Sequence, residues 1–82
     1  MTQDDIRRAF LDEVIRVAPD IDPAAIAGTD HLQDDLGLDS MDVLNLVIAL
    51  SARFGVEIPE ADYPRIATPD LAAAYLAEKT RG

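Results

Sequence analysis

The chain has no cysteine and no tryptophan, two tyrosines, two phenylalanines and a single histidine. Without cysteine, disulfides and thiolate metal sites are excluded, and any thiol chemistry must come from a group attached to the protein. Basic side chains are also scarce: seven Lys and Arg stand against sixteen Asp and Glu, a net charge of −9. That balance repels nucleic acid and anionic membrane surfaces and attracts basic protein patches, although solubility alone also accounts for it. No apolar run approaches the ~20 residues needed to span a bilayer, and no N-terminal stretch has the basic start and apolar run of a signal peptide. A cytoplasmic protein is therefore expected. At 82 residues the expectation is one small domain, residues 1–82, and a monomer, near the size at which a single core only just suffices.

What is present is organised around Asp35-Leu36-Gly37-Leu38-Asp39-Ser40-Met41-Asp42, where an acidic, leucine-rich loop runs into the most apolar helical stretch of the chain. Gly37 suits a sharp bend, Leu36 and Leu38 are apolar anchors, and Asp39 is a preferred cap residue. With Asp39 as cap, Ser40 opens the helix and Asp42 falls in capping-box position. The Ser40 hydroxyl is then left at an exposed helix N-terminus without a structural duty. Backbone N–H groups and the helix dipole favour an anion there, while Asp39 and Asp42 oppose it.

Around this stretch the chain reads as helices. Thr2-Gln3-Asp4-Asp5 is a capped start, followed by Ile6, Ala9, Phe10, Val14 and Val17 at helical spacing. Arg7, Arg8, Asp12, Glu13 and Arg16 form the wet face of that helix, and Pro19 ends it. Asp22-Pro23-Ala24-Ala25-Ile26 carries the signals of a single helical turn inside a long loop that Leu32, Leu36 and Leu38 pin to the core. The second helix, about Ser40 to Phe54, has a narrow polar arc of Asp42, Asn45, Ala49 and Arg53. Met41, Leu44 and Ile48 share one flank, and Leu46 borders the arc on the other. Core packing is one reading of these four; the other is partial exposure beside Ser40. Gly55 stops the helix, Val56 and Ile58 point inward, and Glu60-Ala61-Asp62-Tyr63 makes one turn before Pro64, so a brief third helix is expected. Thr68-Pro69-Asp70 opens a last helix, with Leu71, Ala74, Tyr75 and Leu76 available for burial and Lys79 and Arg81 near its C-terminus. The expectation is an all-α fold: a small four-helix bundle of three main helices and one short third helix, with a long first loop.

Autonomous catalysis is not expected. Ser40 lacks a Gly-x-Ser-x-Gly elbow, and His31, beside Asp30 in a loop, has no spacing that demands a triad. The aspartates at 30, 34, 35, 39 and 42 fail the calcium-loop test. With Gly37 at the sixth position, Leu32 and Val43 occupy the first and twelfth, where carboxylates are required. No metal site is expected.

Asp39-Ser40-Met41, preceded by Asp35-Leu36-Gly37-Leu38, resembles the 4′-phosphopantetheine attachment motif of acyl carrier proteins. The likeness continues through Leu50-Ser51-Ala52-Arg53-Phe54-Gly55 and Val56-Glu57-Ile58-Pro59, and covers essentially the whole chain. The resemblance implies a 4′-phosphopantetheine arm on Ser40, donated from coenzyme A by a separate phosphopantetheinyl transferase, and acyl groups held on it as thioesters. It implies docking of acyl-transferring and acyl-modifying enzymes, through basic patches, on Met41 and Ile48 framed by Asp39 and Asp42. Their pathways would be those of fatty acids, other lipids or polyketides. An aminoacyl or peptidyl carrier is the alternative within the class, and an acidic interaction module that never takes an arm is the alternative outside it. The sequence departs from well-known fatty-acid carriers at Asn45, Ser51, Ala52 and Arg53, where they are acidic, and at Tyr63 and Pro64. Those departures favour a dedicated carrier in specialised lipid, polyketide or lipopolysaccharide acylation.

Overall fold

The computed structural model describes residues 2–81. Each long helix begins at a side chain that answers the unpaired N–H groups of its first turn. Helix α1 (Gln3–Val17) starts where Thr2 Oγ1 accepts the Asp5 N–H at 3.1 Å and the Asp5 carboxylate accepts the Thr2 N–H at 3.2 Å. That backbone N–H holds the Asp5 carboxyl below its usual range. After α1 ends, Asp22 caps a single 3₁₀ turn, Pro23–Ala25, by accepting the Ala24 N–H at 3.0 Å. Helix α2 (Ser40–Phe54) follows and stops at Gly55, whose φ of 65° is left-handed backbone that a glycine adopts without strain. A 3₁₀ helix, Glu60–Ile66, leads to α3 (Pro69–Thr80), where Thr68 Oγ1 accepts the Leu71 N–H at 3.1 Å and proline sits in the first turn.

These elements make an all-α bundle of three long helices and one short 3₁₀ helix with a long first loop, as expected; among the described residues there is no strand. Helix α1 packs on both α2 and α3, and the 3₁₀ helix packs on α3. Phe10 and Val14 from α1, Leu46 and Leu50 from α2, and Tyr75 and Leu76 from α3 meet in the centre. Leu32 and Leu38 are driven in from the long loop, so the segment before Ser40 is tied to the core rather than free to wave. No helix among the described residues is long and apolar enough to cross a membrane.

Three local expectations are corrected. Glu13, placed on the wet face of α1, is buried at 4% exposure. Arg53 reaches across from α2 to pair with it at 2.7 Å, and Arg16 lies 3.9 Å away on the other carboxylate oxygen. A carboxylate leaves water at low cost only when paired in this way, and the hydrogen bond to Glu13 holds the Arg53 guanidinium above its usual range. Leu46 takes the first of the two readings left open for the large residues of α2, core packing, and is fully buried. In α3 the buried set is Pro69, Ala72, Ala73, Tyr75 and Leu76, while Leu71 and Ala74 face out. The helix is apolar nearly all round, so spacing alone has little contrast with which to pick its inner face.

Finally, Pro64 does not end the third helix, which runs on to Ile66. Proline's fixed φ lies within the 3₁₀ range, so the ring forfeits one hydrogen bond without breaking the path. Contacts with α3 then hold the segment: Tyr75 donates its hydroxyl to Asp62 at 2.7 Å, and Arg65 lies 4.7 Å over the Tyr75 ring while pairing with Glu78 at 2.8 Å.

Candidate functional site: the start of α2 and the groove beside it

Ser40 is exposed as the first residue of α2. The cap is made without it. Asp39 accepts the Asp42 N–H at 2.8 Å, and Asp42 accepts the Asp39 N–H at 3.3 Å. Both carboxylates are thereby turned onto backbone, and the serine hydroxyl stands outside the reciprocal cap. The first bond of the helix ladder joins the Val43 N–H to the Asp39 carbonyl at 3.0 Å. The N–H groups of Ser40 and Met41 precede the ladder and belong to its positive end.

The approach to Ser40 is a folded loop. The His31 carbonyl accepts from Asp35 and Leu36 at 2.9 and 3.0 Å, the Asp35 carboxylate accepts the His31 N–H at 2.7 Å, and Leu38 donates to the Leu32 carbonyl at 2.9 Å. Gly37, at φ 77°, makes the bend that brings Leu38 back under Leu32. Two further bonds fasten this loop to the other side of the molecule, Leu32 N–H to the Ala67 carbonyl and Asp70 N–H to the Gly28 carbonyl, both at 3.0 Å. At Gly28 a Cβ would collide with the Asp70 side chain, which Arg7 of α1 holds by an ion pair. A side chain at position 28 would have to push the Asp70 carboxylate aside and disturb its pairing with Arg7.

Fastened in this way, the loop and the 3₁₀ helix flank a groove of about 320 Å³ that Ser40 lines. His31 and Asp34 border it from the loop, Tyr63 and Ile66 from the 3₁₀ helix, and Val43 lies one turn below Ser40 on α2. Its volume is at the lower end of ligand-sized pockets, and its walls mix aliphatic surface with a few polar groups. His31, Tyr63, Val43 and Ile66 were not singled out for this place by the sequence. Their convergence goes with the Leu32–Ala67 and Asp70–Gly28 bonds, for which no local signal exists.

On the outer side of α2, Met41 is 62% exposed, Ile48 59% and Leu44 40%. Seven helical positions separate Met41 from Ile48, so the three form one apolar strip running away from Ser40. Asp39 is exposed and Asp42 half-buried at its upper end. Of the four residues expected to frame a docking surface, Met41 and Ile48 share this strip with Leu44, while Asp39 and Asp42 belong to the cap at the start of α2.

Known proteins share this arrangement in sequence. The family profile described as "Phosphopantetheine attachment site" matches residues 9–76. Similar proteins include "Acyl carrier protein 2, mitochondrial" of Arabidopsis thaliana, 34% identical over 83 residues that cover 90% of this chain and 66% of that protein. "Acyl carrier protein, mitochondrial" of Neurospora crassa is 42% identical over 55 residues, 67% of this chain and 41% of that protein. The chain thus spans less than two thirds of the length of either relative.

Proposed function

The chain belongs to the acyl carrier protein family, whose domains bear a covalent 4′-phosphopantetheine, and from that premise we propose that it carries acyl groups on such an arm attached at Ser40. The observation that supports the residue is the exposed hydroxyl at the start of α2, outside its own helix cap and beside a groove of about 320 Å³. When bound, the arm supplies the thiol that the chain itself lacks and holds cargo as a thioester. The protein's residues do the rest. The reciprocal cap of Asp39 and Asp42 keeps the serine at a fixed helix end, and the N–H groups of Ser40 and Met41 offset the charge of a phosphodiester there. Val43, Tyr63 and Ile66 offer the tethered chain an apolar wall.

In this reading the chain is substrate and carrier, with catalysis supplied by a phosphopantetheinyl transferase and by the enzymes that load and use the cargo. Those partners dock, in this reading, on Met41, Leu44 and Ile48, with Asp39 and Asp42 meeting basic side chains. Tethering raises the local concentration of cargo at each enzyme it visits. Residues 1–82 act as one carrier unit, in an acyl pathway of lipid or polyketide synthesis. Both relatives are named mitochondrial proteins, whereas the expectation from this sequence is the cytoplasm; fractionation of the native host decides between the two compartments.

Incubation with coenzyme A, magnesium and a broad-specificity phosphopantetheinyl transferase, followed by intact mass measurement, tests the reading. Addition of one phosphopantetheine that Ser40→Ala abolishes is the expected result. A bare protein, or an addition that survives the substitution, overturns it. Recovery of aminoacyl or peptidyl cargo from the native host would move the chain to the other branch of the class.

A further inference from the structure

The 3₁₀ helix Glu60–Ile66 presents two faces to two different neighbours. At three residues per turn, side chains three apart lie one above the other, so Asp62 stacks with Arg65 and Tyr63 with Ile66. The first pair is held by α3. The Tyr75 hydroxyl donates to the Asp62 carboxylate at 2.7 Å, and the Arg65 guanidinium pairs with Glu78 at 2.8 Å. Tyr75 is itself 1% exposed, and Arg65 lies 4.7 Å over its ring, so the pair meets a fixed support. The second pair, with Pro64 and Ala67, lines the groove beside Ser40, whereas neither Tyr75 nor Glu78 does. Backbone alone holds the first turn poorly: its start at Pro59 has no side-chain cap, Pro64 offers no N–H, and 3₁₀ hydrogen bonds have poorer geometry than α-helical ones. Ile66 is packed in the core and anchors the last turn, while Tyr63 is only partly buried.

We propose that Tyr75 and Glu78 are positioning residues for the Ser40 site: by gripping Asp62 and Arg65 they set the rotation of the 3₁₀ helix, and with it the wall that Tyr63 presents to an arm. Where the arm is concerned, this rests on the attachment proposed above. The coupling is geometric. Asp62 and Tyr63 are consecutive residues about 120° apart around a three-residue turn, so a rotation that takes Asp62 off the Tyr75 hydroxyl carries Tyr63 off the groove by the same angle. Residues of α3 that never meet the arm thus decide whether its root has an aromatic wall to lie against.

The double variant Tyr75→Phe with Glu78→Ala tests the grip, and Thr2→Ala, which removes the cap of α1, serves as a control of lowered stability at a distance. Phenylalanine keeps the buried ring, so the double variant is expected to fold. Glu78→Ala alone, at a side chain 69% exposed, should show the same changes in weaker form. In unloaded protein the Asp62 N–H, which donates to the Pro59 carbonyl at 2.8 Å, reports the first turn. Its hydrogen exchange should be about tenfold faster in the double variant, the net worth of one hydrogen bond, and unchanged in Thr2→Ala. In protein shown by mass to be loaded from coenzyme A, the geminal methyl protons of the arm should give a nuclear Overhauser contact with the Tyr63 ring. That contact should be lost in the double variant and kept in Thr2→Ala and in Asp62→Asn, whose amide oxygen still accepts from Tyr75. An Asp62 amide that exchanges alike in wild type and double variant overturns the proposal, as does equal acceleration in Thr2→Ala. So does a Tyr63 contact that is absent from the loaded wild type or survives the double variant. A chain that takes no arm fails the attachment alone, and the exchange measurement still decides the positioning.

Discussion

Leu44 and Leu46 are the same side chain two positions apart on α2, and they meet different surroundings. Leu46 is fully buried in the core of the bundle, whereas Leu44 is 40% exposed between Met41 and Ile48. The inner face of the helix holds the bundle together; the outer face is comparably apolar and holds nothing within the chain. Hydrophobicity alone therefore does not say what a residue on α2 is for. Position relative to the Asp39 cap and to the neighbouring helices does. If the comparison is right, substitutions on the two faces separate stability from carrier activity.

The largest loss of stability is expected at the inner face. Leu46→Ala should cost about 2–5 kcal/mol and lower the melting midpoint by roughly 10 °C or more, measured by circular dichroism. A small effect would mean that the inner face is not the core. Next comes Tyr75, buried behind the 3₁₀ helix, whose hydroxyl donates to Asp62 and whose pKa is raised from 10.0 to about 12, by burial first and then by that carboxylate. The folded state holds the phenol proton more tightly than the unfolded chain does. Its contribution is thus fully present below pH 10 and is lost as the pH rises through about 12. Tyr75→Phe should cost about 1–3 kcal/mol at neutral pH and should narrow the gap to wild type in denaturant titrations repeated at rising alkaline pH. A gap independent of pH would contradict the assignment.

A smaller loss is expected where the faces meet. Asp39→Ala should cost about 1 kcal/mol through the lost cap, with Asp39→Asn retaining most of it, as read by urea unfolding. On the outer face, the paired substitution Met41→Ala and Ile48→Ala should leave stability within about 0.5 kcal/mol. Transfer of cargo by a partner enzyme should nevertheless slow several-fold. Equal stability loss on both faces would erase the distinction.

The parts of this fold that could be read beforehand are those written in neighbouring residues. Asp39 with Asp42, Thr2 with Asp5, Thr68 with Pro69, and the bends at Gly37 and Gly55 are chemistry within four residues, and each stands where expected. What escaped depends on residues far apart in the chain. Glu13 is buried because Arg53 arrives from 40 positions away, and the 3₁₀ helix survives Pro64 because Asp62 and Arg65 are held by α3. The site divides along the same line. The exposed place of Ser40 at the helix start was legible from the cap, while the groove was not, since its walls come together through the long-range Leu32–Ala67 and Asp70–Gly28 bonds.

The central claim is that the hydroxyl opening α2 is the tether. After treatment with coenzyme A and transferase, fragmentation of the modified protein in the mass spectrometer should place all of the added phosphopantetheine on Ser40 and none on Ser51 or any threonine. An arm located on another residue, or a protein that stays unmodified while a control carrier in the same tube is loaded, would contradict it.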